Sequence, residues 1–95
     1  MRYRITAITS NIAFQDLLMG IGIEVLNSSL YRSIQLEKMK TGEKITCYSS
    51  EFLVRSDLSR GGLKSIIKRE IKKRGWRVNL KVEETLEYED LKVRR

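Results

Sequence analysis

Histidine and proline are absent from the 95-residue sequence, and cysteine occurs once. Without histidine, neither a Ser-His-Asp nor a Cys-His catalytic arrangement can form, and no imidazole is available to bind a metal. The single cysteine, Cys47, cannot make an internal disulfide or a cysteine-rich zinc site. Because Cys47 alternates in phase with Ile45, the pattern favours a small buried apolar group rather than a reactive thiolate.

Nucleotide and metal motifs are also missing. The pair Gly20 and Gly22 lacks the third glycine and the βαβ unit of a dinucleotide-binding turn, and no Walker pattern, EF-hand loop or HExxH segment occurs. Acidic residues such as Asp16, Glu51 and Asp57 lie in segments with no evident convergence. We therefore expect a protein that is not an enzyme and that uses neither a cofactor nor a metal.

Long hydrophobic runs are scarce. The longest uncharged apolar stretch, residues 17–23, is too short to span a bilayer, and the arginines at positions 2 and 4 have no apolar run behind them. Apolar residues make up 41% and charged residues 33%, proportions close to those of an ordinary globular chain. These features predict a single soluble domain, 1–95, that is cytoplasmic and has no membrane partner.

The first part of the chain combines a strand pattern with a helix pattern. Residues 2–9 alternate with a period of two, which predicts a strand. Ser10 stands where a helix N-cap would, and apolar residues at helical spacing begin just after Asn11. The sequence leaves three alternatives for the end of this helix. The helix breaks near Gly20, or it continues into the high twenties, or the stretch to Leu26 forms a short extra strand. Glycine is unfavourable inside a helix, yet we favour either form of the helix over the strand.

A β-hairpin is predicted next. Residues 31–40 alternate, and 43–54 resume the alternation after Thr41-Gly42, where glycine supplies the positive φ of a tight turn. The residues 49–51 break the clean pattern, and we expect a β-bulge there.

An amphipathic helix is predicted over residues 60–74. Its apolar residues recur at offsets of three, four and eight, its N-cap lies among residues 56–59, and Gly75 stops it behind three cations. A strand over 76–82 follows, and a short appendage completes the chain. The element order is thus β-α-β-β-α-β.

This order is that of a ferredoxin-like α+β sandwich, in which a four-stranded antiparallel sheet carries two helices on one face and leaves the other face open. The expected strand order is 4-1-3-2, with a short C-terminal appendage. Alternation allows eight apolar residues to face the helices together: Ile5, Ala7, Ile34, Leu36, Ile45, Cys47, Val78 and Leu80.

Positive charge is concentrated in one part of the sequence. The formal net charge is +7, and residues 55–82 contain ten Lys and Arg against two acids. Three of these cations form a row at i,i+4 spacing on the second helix and two more widen its solvent face: Lys64, Lys68, Lys72, Arg69 and Lys73. Since like charges at this spacing repel, a polyanionic partner would offset the cost. A solvated, solubilising face is the alternative interpretation.

Two further candidate sites involve the sheet and a turn. The expected strand order places cations and tyrosines on the open sheet face, where bases could stack and phosphates bind: Arg4, Arg77, Lys81, Tyr31 and Tyr48. The turn at Arg60-Gly61-Gly62 offers backbone N–H groups at a helix N-terminus, which can hold a phosphate, although the glycines also suit a plain turn.

The sequence alone therefore predicts a small basic, non-catalytic module that binds RNA or single-stranded DNA without strong sequence preference. The alternative is a small protein-binding adaptor or inhibitor, of the type used by viruses and phages, that docks on an acidic or nucleic-acid-binding protein surface. A homodimer is expected through the open sheet face carrying Ile8 and Tyr48, or through the edge strand 31–40.

Overall fold

The computed structural model describes residues 1–11, 13–29, 32–37 and 40–85. These residues form five strands and two helices. In chain order the elements are β1 (Arg2–Thr9), α1 (Phe14–Gly20), β2 (Glu24–Ser28), β3 (Arg32–Glu37), β4 (Lys44–Arg55), α2 (Arg60–Arg74) and β5 (Val78–Thr85). Among the residues described, no helix has the length and apolar content needed to cross a membrane.

The strands form one antiparallel sheet in the order β2-β4-β1-β5, and β3 also pairs with β4. Strand β2 pairs with β4 at residues 52–55, and β3 pairs with β4 at 44–49. The two short strands therefore follow one another along the same edge of β4. The α+β class with a mostly antiparallel sheet and two helices is confirmed, and the arrangement is compatible with a ferredoxin-like fold.

The expected count of four strands is wrong, because the segment after α1 forms the additional strand β2. Helix α1 ends at Gly20, and Gly22 takes a positive φ of 80° that turns the chain out of the helix. Ile23 is then buried in the core, and the strand begins at the next residue. A helix that breaks near Gly20 is thus confirmed, and a helix that reaches the high twenties is wrong.

Two local details of the sequence interpretation are also corrected. Ser10 does not cap α1: the N–H of Ala13 donates to Asn11 Oδ1 over 2.9 Å, and the N–H of Asn11 donates to Thr9 Oγ1 over 3.1 Å. The bulge expected near residues 49–51 is absent, since β4 pairs with β1 in unbroken register from Tyr48 to Arg55. The register irregularity lies instead in the edge strand β2.

The second helix forms as its sequence predicts. It spans Arg60–Arg74, the N–H of Gly62 donates to Ser59 Oγ over 3.1 Å, and Gly75 adopts a left-handed conformation at the C-terminus. Its apolar stripe buries Leu63, Ile67 and Ile71. These residues share one core with α1 and with one face of the sheet.

Some apolar residues lie on the opposite face of the sheet from the one that the sequence predicts. Residues directly opposite one another in antiparallel strands share a face. Because Phe52 and Val54 are buried in the core, the even-numbered residues of β4 face the helices and its odd-numbered residues face away. Ile45 and Cys47 therefore lie on the uncovered face, with Ile34 opposite Cys47.

Half of the predicted helix-facing set is accordingly confirmed. Ile5 and Ala7 are in the core, and Val78 and Leu80 pack against it. Ile34, Ile45 and Cys47 do not join this core, and Leu36 pairs with Ile45 in β3. A shift of one residue reverses the face of every side chain in a strand, which is why Ile45 and Cys47 move to the uncovered face together. Cys47 is buried, as expected, but on the other face.

Candidate functional site

The predicted cations lie on separate surfaces. Those on α2 are exposed at Lys68, Arg69, Lys72 and Lys73, and Lys64 is half-buried. The cations of the uncovered sheet face are set among acids: Arg4 pairs in register with Glu83, and Lys81 Nζ lies 3.0 Å from Glu83 Oε1. Arg77, before β5, is exposed.

The tyrosine of the predicted sheet surface that the structure describes does not lie beside the cations. Tyr48 pairs in register with Thr9, a buried residue on the helix-facing side, and the sheet therefore separates its side chain from Arg4 and Lys81. Tyr31 lies outside the described residues. Glu51 stands opposite Thr6 on the uncovered face, so that face carries charges of both signs rather than a basic surface with stacking platforms.

The predicted phosphate site at Arg60-Gly61-Gly62 is the first turn of α2. The N–H of Gly62 is engaged by the Ser59 hydroxyl, and Arg60 and Gly61 are exposed. This geometry is that of an ordinary N-cap, in which the side-chain oxygen satisfies a backbone donor that the helix leaves unpaired.

The candidate binding site is a groove on the uncovered face of the sheet. Strand β4 extends past the end of β1: it pairs with β1 only as far as Tyr48, and its residues 44–47 continue with β3 on one side. A groove of about 460 Å³ lies at this end of the sheet. Its described lining residues are Ile8, Thr9, Ser10, Ile34, Ile45, Cys47, Arg77, Val78 and Asn79.

The groove is apolar with a polar rim. Its sheet-face residues Ile8, Ile34 and Ile45 are half-buried, and Cys47 is buried. Arg77 is the cation among its described lining residues, and none of these residues is acidic. The described lining of the groove offers apolar surface beside one guanidinium, an arrangement suited to binding an apolar ligand.

Sequence reasoning missed this groove because it assigned Ile45 and Cys47 to the helix-facing side. The signal was present in the same strand: Phe52 and Val54 are apolar at even positions, whereas Ile45 and Cys47 are apolar at odd positions. Without a bulge between them, the two pairs must face opposite sides.

Metal chemistry has no evident site in the part of the chain that the structure describes. Within those ranges, no group of three or more Cys, Asp and Glu side chains is placed so that it could hold a metal ion.

Comparison with known proteins identifies a fold and no family. No family model matches the sequence, and no curated protein matches it. Among solved structures, the chain is similar to a formyltetrahydrofolate deformylase from Pseudomonas putida KT2440, with a TM-score of 0.55 and 11% identity over 90% of this chain and 29% of that one. A formyltetrahydrofolate deformylase from Pseudomonas syringae pv. tomato str. DC3000 gives a TM-score of 0.49 and 10% identity over 86% of this chain and 28% of that one.

The chain therefore spans less than a third of the length of the two deformylases. The likeness to the Pseudomonas putida structure concerns the fold alone. The predicted nucleic-acid-binding function is wrong: the fold match is to part of a folate enzyme, and the tyrosine and cations meant to bind bases and phosphates do not share a face. The same match gives no support to the adaptor or inhibitor alternative.

Proposed function

We propose that the chain is a small, non-catalytic, ACT-like domain that binds a small organic acid with an apolar body in the groove of its uncovered sheet face. The observation that carries the proposal is an apolar groove with one guanidinium at its rim and no carboxylate among its described lining residues. The deformylase likeness supports the fold of the domain.

The size and lining of the groove suit a small ligand. Its volume of about 460 Å³ lies within the range of about 300–1,000 Å³ that is typical of small-molecule sites. Ile34 and Cys47 stand directly opposite one another on neighbouring strands, and Ile45 lies two residues before Cys47 in β4. An apolar ligand placed on this surface would remove the half-buried side chains of Ile34 and Ile45 from water, which is the main favourable term in such binding.

The positive charge at the rim of the groove favours an anionic ligand. Arg77 precedes β5 and is exposed, and a guanidinium can donate two parallel hydrogen bonds to one carboxylate. The exposed Asn79 contributes an amide and Ser10 a hydroxyl to the same lining. A cationic ligand would instead meet Arg77 with no acid among the described lining residues to balance it.

The test uses 8-anilinonaphthalene-1-sulfonate, an apolar anion that fluoresces when it leaves water. We expect the probe to bind and to be displaced by octanoate, and to be displaced much less by octylammonium. The variant Arg77→Glu should raise the dissociation constant for octanoate about tenfold or more, because a hydrogen-bonded charge contributes about 1.5–3 kcal/mol. Ile45→Gln should weaken octanoate and the probe alike, because it removes apolar contact.

Lys73→Glu is the matched control for this experiment. It makes the same charge change on the exposed face of α2 and should leave both dissociation constants unchanged. Far-UV circular dichroism checks that each variant stays folded. The proposal fails if octanoate does not displace the probe, or if Arg77→Glu and Lys73→Glu behave alike.

A further inference from the structure

Strand β1 ends before β4 does at the groove end of the sheet. It lies between β4 and β5, and its last residue, Thr9, pairs with Tyr48 on one side and with Val78 on the other. Strand β4 extends over residues 44–47 beyond this point, with β3 on its outer edge. Among the described residues no strand continues the line of β1 there. We call this space the strand gap; it lies between residues 44–47 and Arg77, the residue before β5.

The backbone of Thr46 points into the strand gap. The N–H and C=O groups of successive residues in a strand point to opposite edges. Glu51 uses the outer edge of β4: its C=O accepts from the N–H of Ser29 over 2.9 Å, and its N–H donates to Ser29 Oγ over 3.1 Å. On the β1 side, the N–H of Ser56 donates to the C=O of Met1 over 3.0 Å. Because β4 pairs with β1 and β3 without a shift in register, its even-numbered residues point to the β1 side, and Thr46 is the first of them beyond the end of β1.

This part of the β4 edge is available to a ligand. Thr46 is exposed, and no group in the described part of the chain hydrogen-bonds to its N–H or C=O on the side of the strand gap. An unpaired strand edge is a template for an added strand, which gains main-chain hydrogen bonds and places its side chains on alternate faces. The groove therefore has a backbone donor and a backbone acceptor at its edge in addition to Arg77 and its apolar lining.

We propose that the acid bound in the groove is an acylated dipeptide that occupies the strand gap as an extension of β1. This inference rests on the proposed function and names the chemical class of its ligand. The first amino-acid residue of the ligand pairs antiparallel with Thr46, its N–H donating to the Thr46 C=O and its C=O accepting from the Thr46 N–H. The second residue carries the free carboxylate, which binds Arg77.

The alternation of side chains defines the ligand further. Residues directly opposite one another in antiparallel strands share a face, so the ligand residue opposite Thr46 points to the helix-facing side and away from the groove. Glycine leaves this position without a side chain. The acyl group and the second residue lie opposite Cys47 and Ile45, whose side chains line the groove, and apolar groups are favoured there. N-acetylglycyl-leucine has this pattern.

Methylation of one amide of the ligand tests the pairing with the wild-type protein. N-acetylglycyl-leucine should displace 8-anilinonaphthalene-1-sulfonate, and N-acetylsarcosyl-leucine, which lacks only the glycine N–H, should bind about tenfold more weakly because it leaves the Thr46 C=O without its donor. Hydrogen exchange at the Thr46 N–H should slow when N-acetylglycyl-leucine saturates the protein. It should not slow with octanoate, which has no amide.

Thr46→Pro tests the other hydrogen bond. It removes the N–H that faces the strand gap and keeps the bonds to β3, which odd-numbered residues of β4 make. It should weaken N-acetylglycyl-leucine about tenfold and leave octanoate unchanged, since only the first ligand pairs with the backbone. Thr46→Ala is the matched control, because it removes the side chain and keeps the N–H, and both ligands should bind it as they bind the wild type.

The results separate this inference from the proposed function. If octanoate binds but the glycyl and sarcosyl compounds bind equally well, or exchange at Thr46 does not slow, the strand pairing is wrong and the groove function stands. Equal affinities of N-acetylglycyl-leucine for Thr46→Pro and Thr46→Ala would also overturn the pairing. If neither octanoate nor N-acetylglycyl-leucine displaces the probe, both proposals fail. Far-UV circular dichroism checks the fold of Thr46→Pro, and the comparisons made with the wild type do not depend on that variant.

Discussion

Ile67→Asp is expected to unfold most of the protein at room temperature. Ile67 lies in α2 with no exposed surface, inside the core that joins both helices to the sheet. Removing the side chain alone costs about 2–5 kcal/mol, and an unpaired carboxylate in the same place adds a desolvation penalty of several kcal/mol. The total approaches or exceeds the stability of about 5–15 kcal/mol that is usual for a small domain. Urea unfolding followed by circular dichroism measures it.

Ser65→Asp is the matched control, since it introduces the same side chain at an exposed position of the same helix. Its effect on the free energy of unfolding should stay within about 0.5 kcal/mol. The loss of stability in Ile67→Ala should lie between the losses in Ser65→Asp and Ile67→Asp. If Ile67→Asp melted at the temperature of Ser65→Asp, the orientation of α2 against the sheet would be wrong.

The success of the sequence interpretation at α2 has a local cause. Ser59 as the cap, Gly75 as the stop and the apolar stripe between them all indicate one helix, and each signal acts within a few residues. Where several independent local signals agree, they determine the secondary structure, and long-range contacts change it little.

The segment after Gly20 shows the opposite case. Its residues fit a helix or a strand, and the choice depends on whether β4 is long enough to pair with it. Strand β4 runs for twelve residues, which accommodates β2 and β3 in succession on the same edge. The pairing of β2 with β4 joins residues that are 24 to 31 positions apart in the chain, and no local sequence pattern indicates it.

Only parts of the candidate surfaces could be predicted from the sequence, and the groove as a whole could not. The exposed cations of α2 followed from the sequence, but charge alone does not name a partner, and the fold comparison contradicts the nucleic acid inferred from it. The groove depends on the relation between two halves of β4. Its apolar residues change from odd to even positions across 49–51, where the sequence interpretation expected a bulge. In the structure the strand stays regular, so one half packs under the helices and the other lines the groove.

Tyr3→Ala is expected to lower the free energy of unfolding by about 3–5 kcal/mol, the range for deleting a buried aromatic ring. Tyr3 is 1% exposed in β1, and its hydroxyl donates a 2.7 Å hydrogen bond to the carbonyl of Leu58. Leu58 directly precedes Ser59, the N-cap of α2. The ring therefore fills the core while the hydroxyl ties the first strand to the start of the second helix.

Tyr3→Phe separates these two contributions. It keeps the ring and removes the donor, and we expect it to cost about 1 kcal/mol, the usual net contribution of one hydrogen bond. Hydrogen exchange in Tyr3→Phe should quicken at the N-terminal turn of α2 more than near the buried Ile71 in its C-terminal half, because the lost contact lies at Leu58. Equal losses of stability for Tyr3→Phe and Tyr3→Ala would contradict the placement of the ring in the core. A Tyr3→Phe protein as stable as the wild type, with unchanged exchange, would show that the hydroxyl does not anchor the helix.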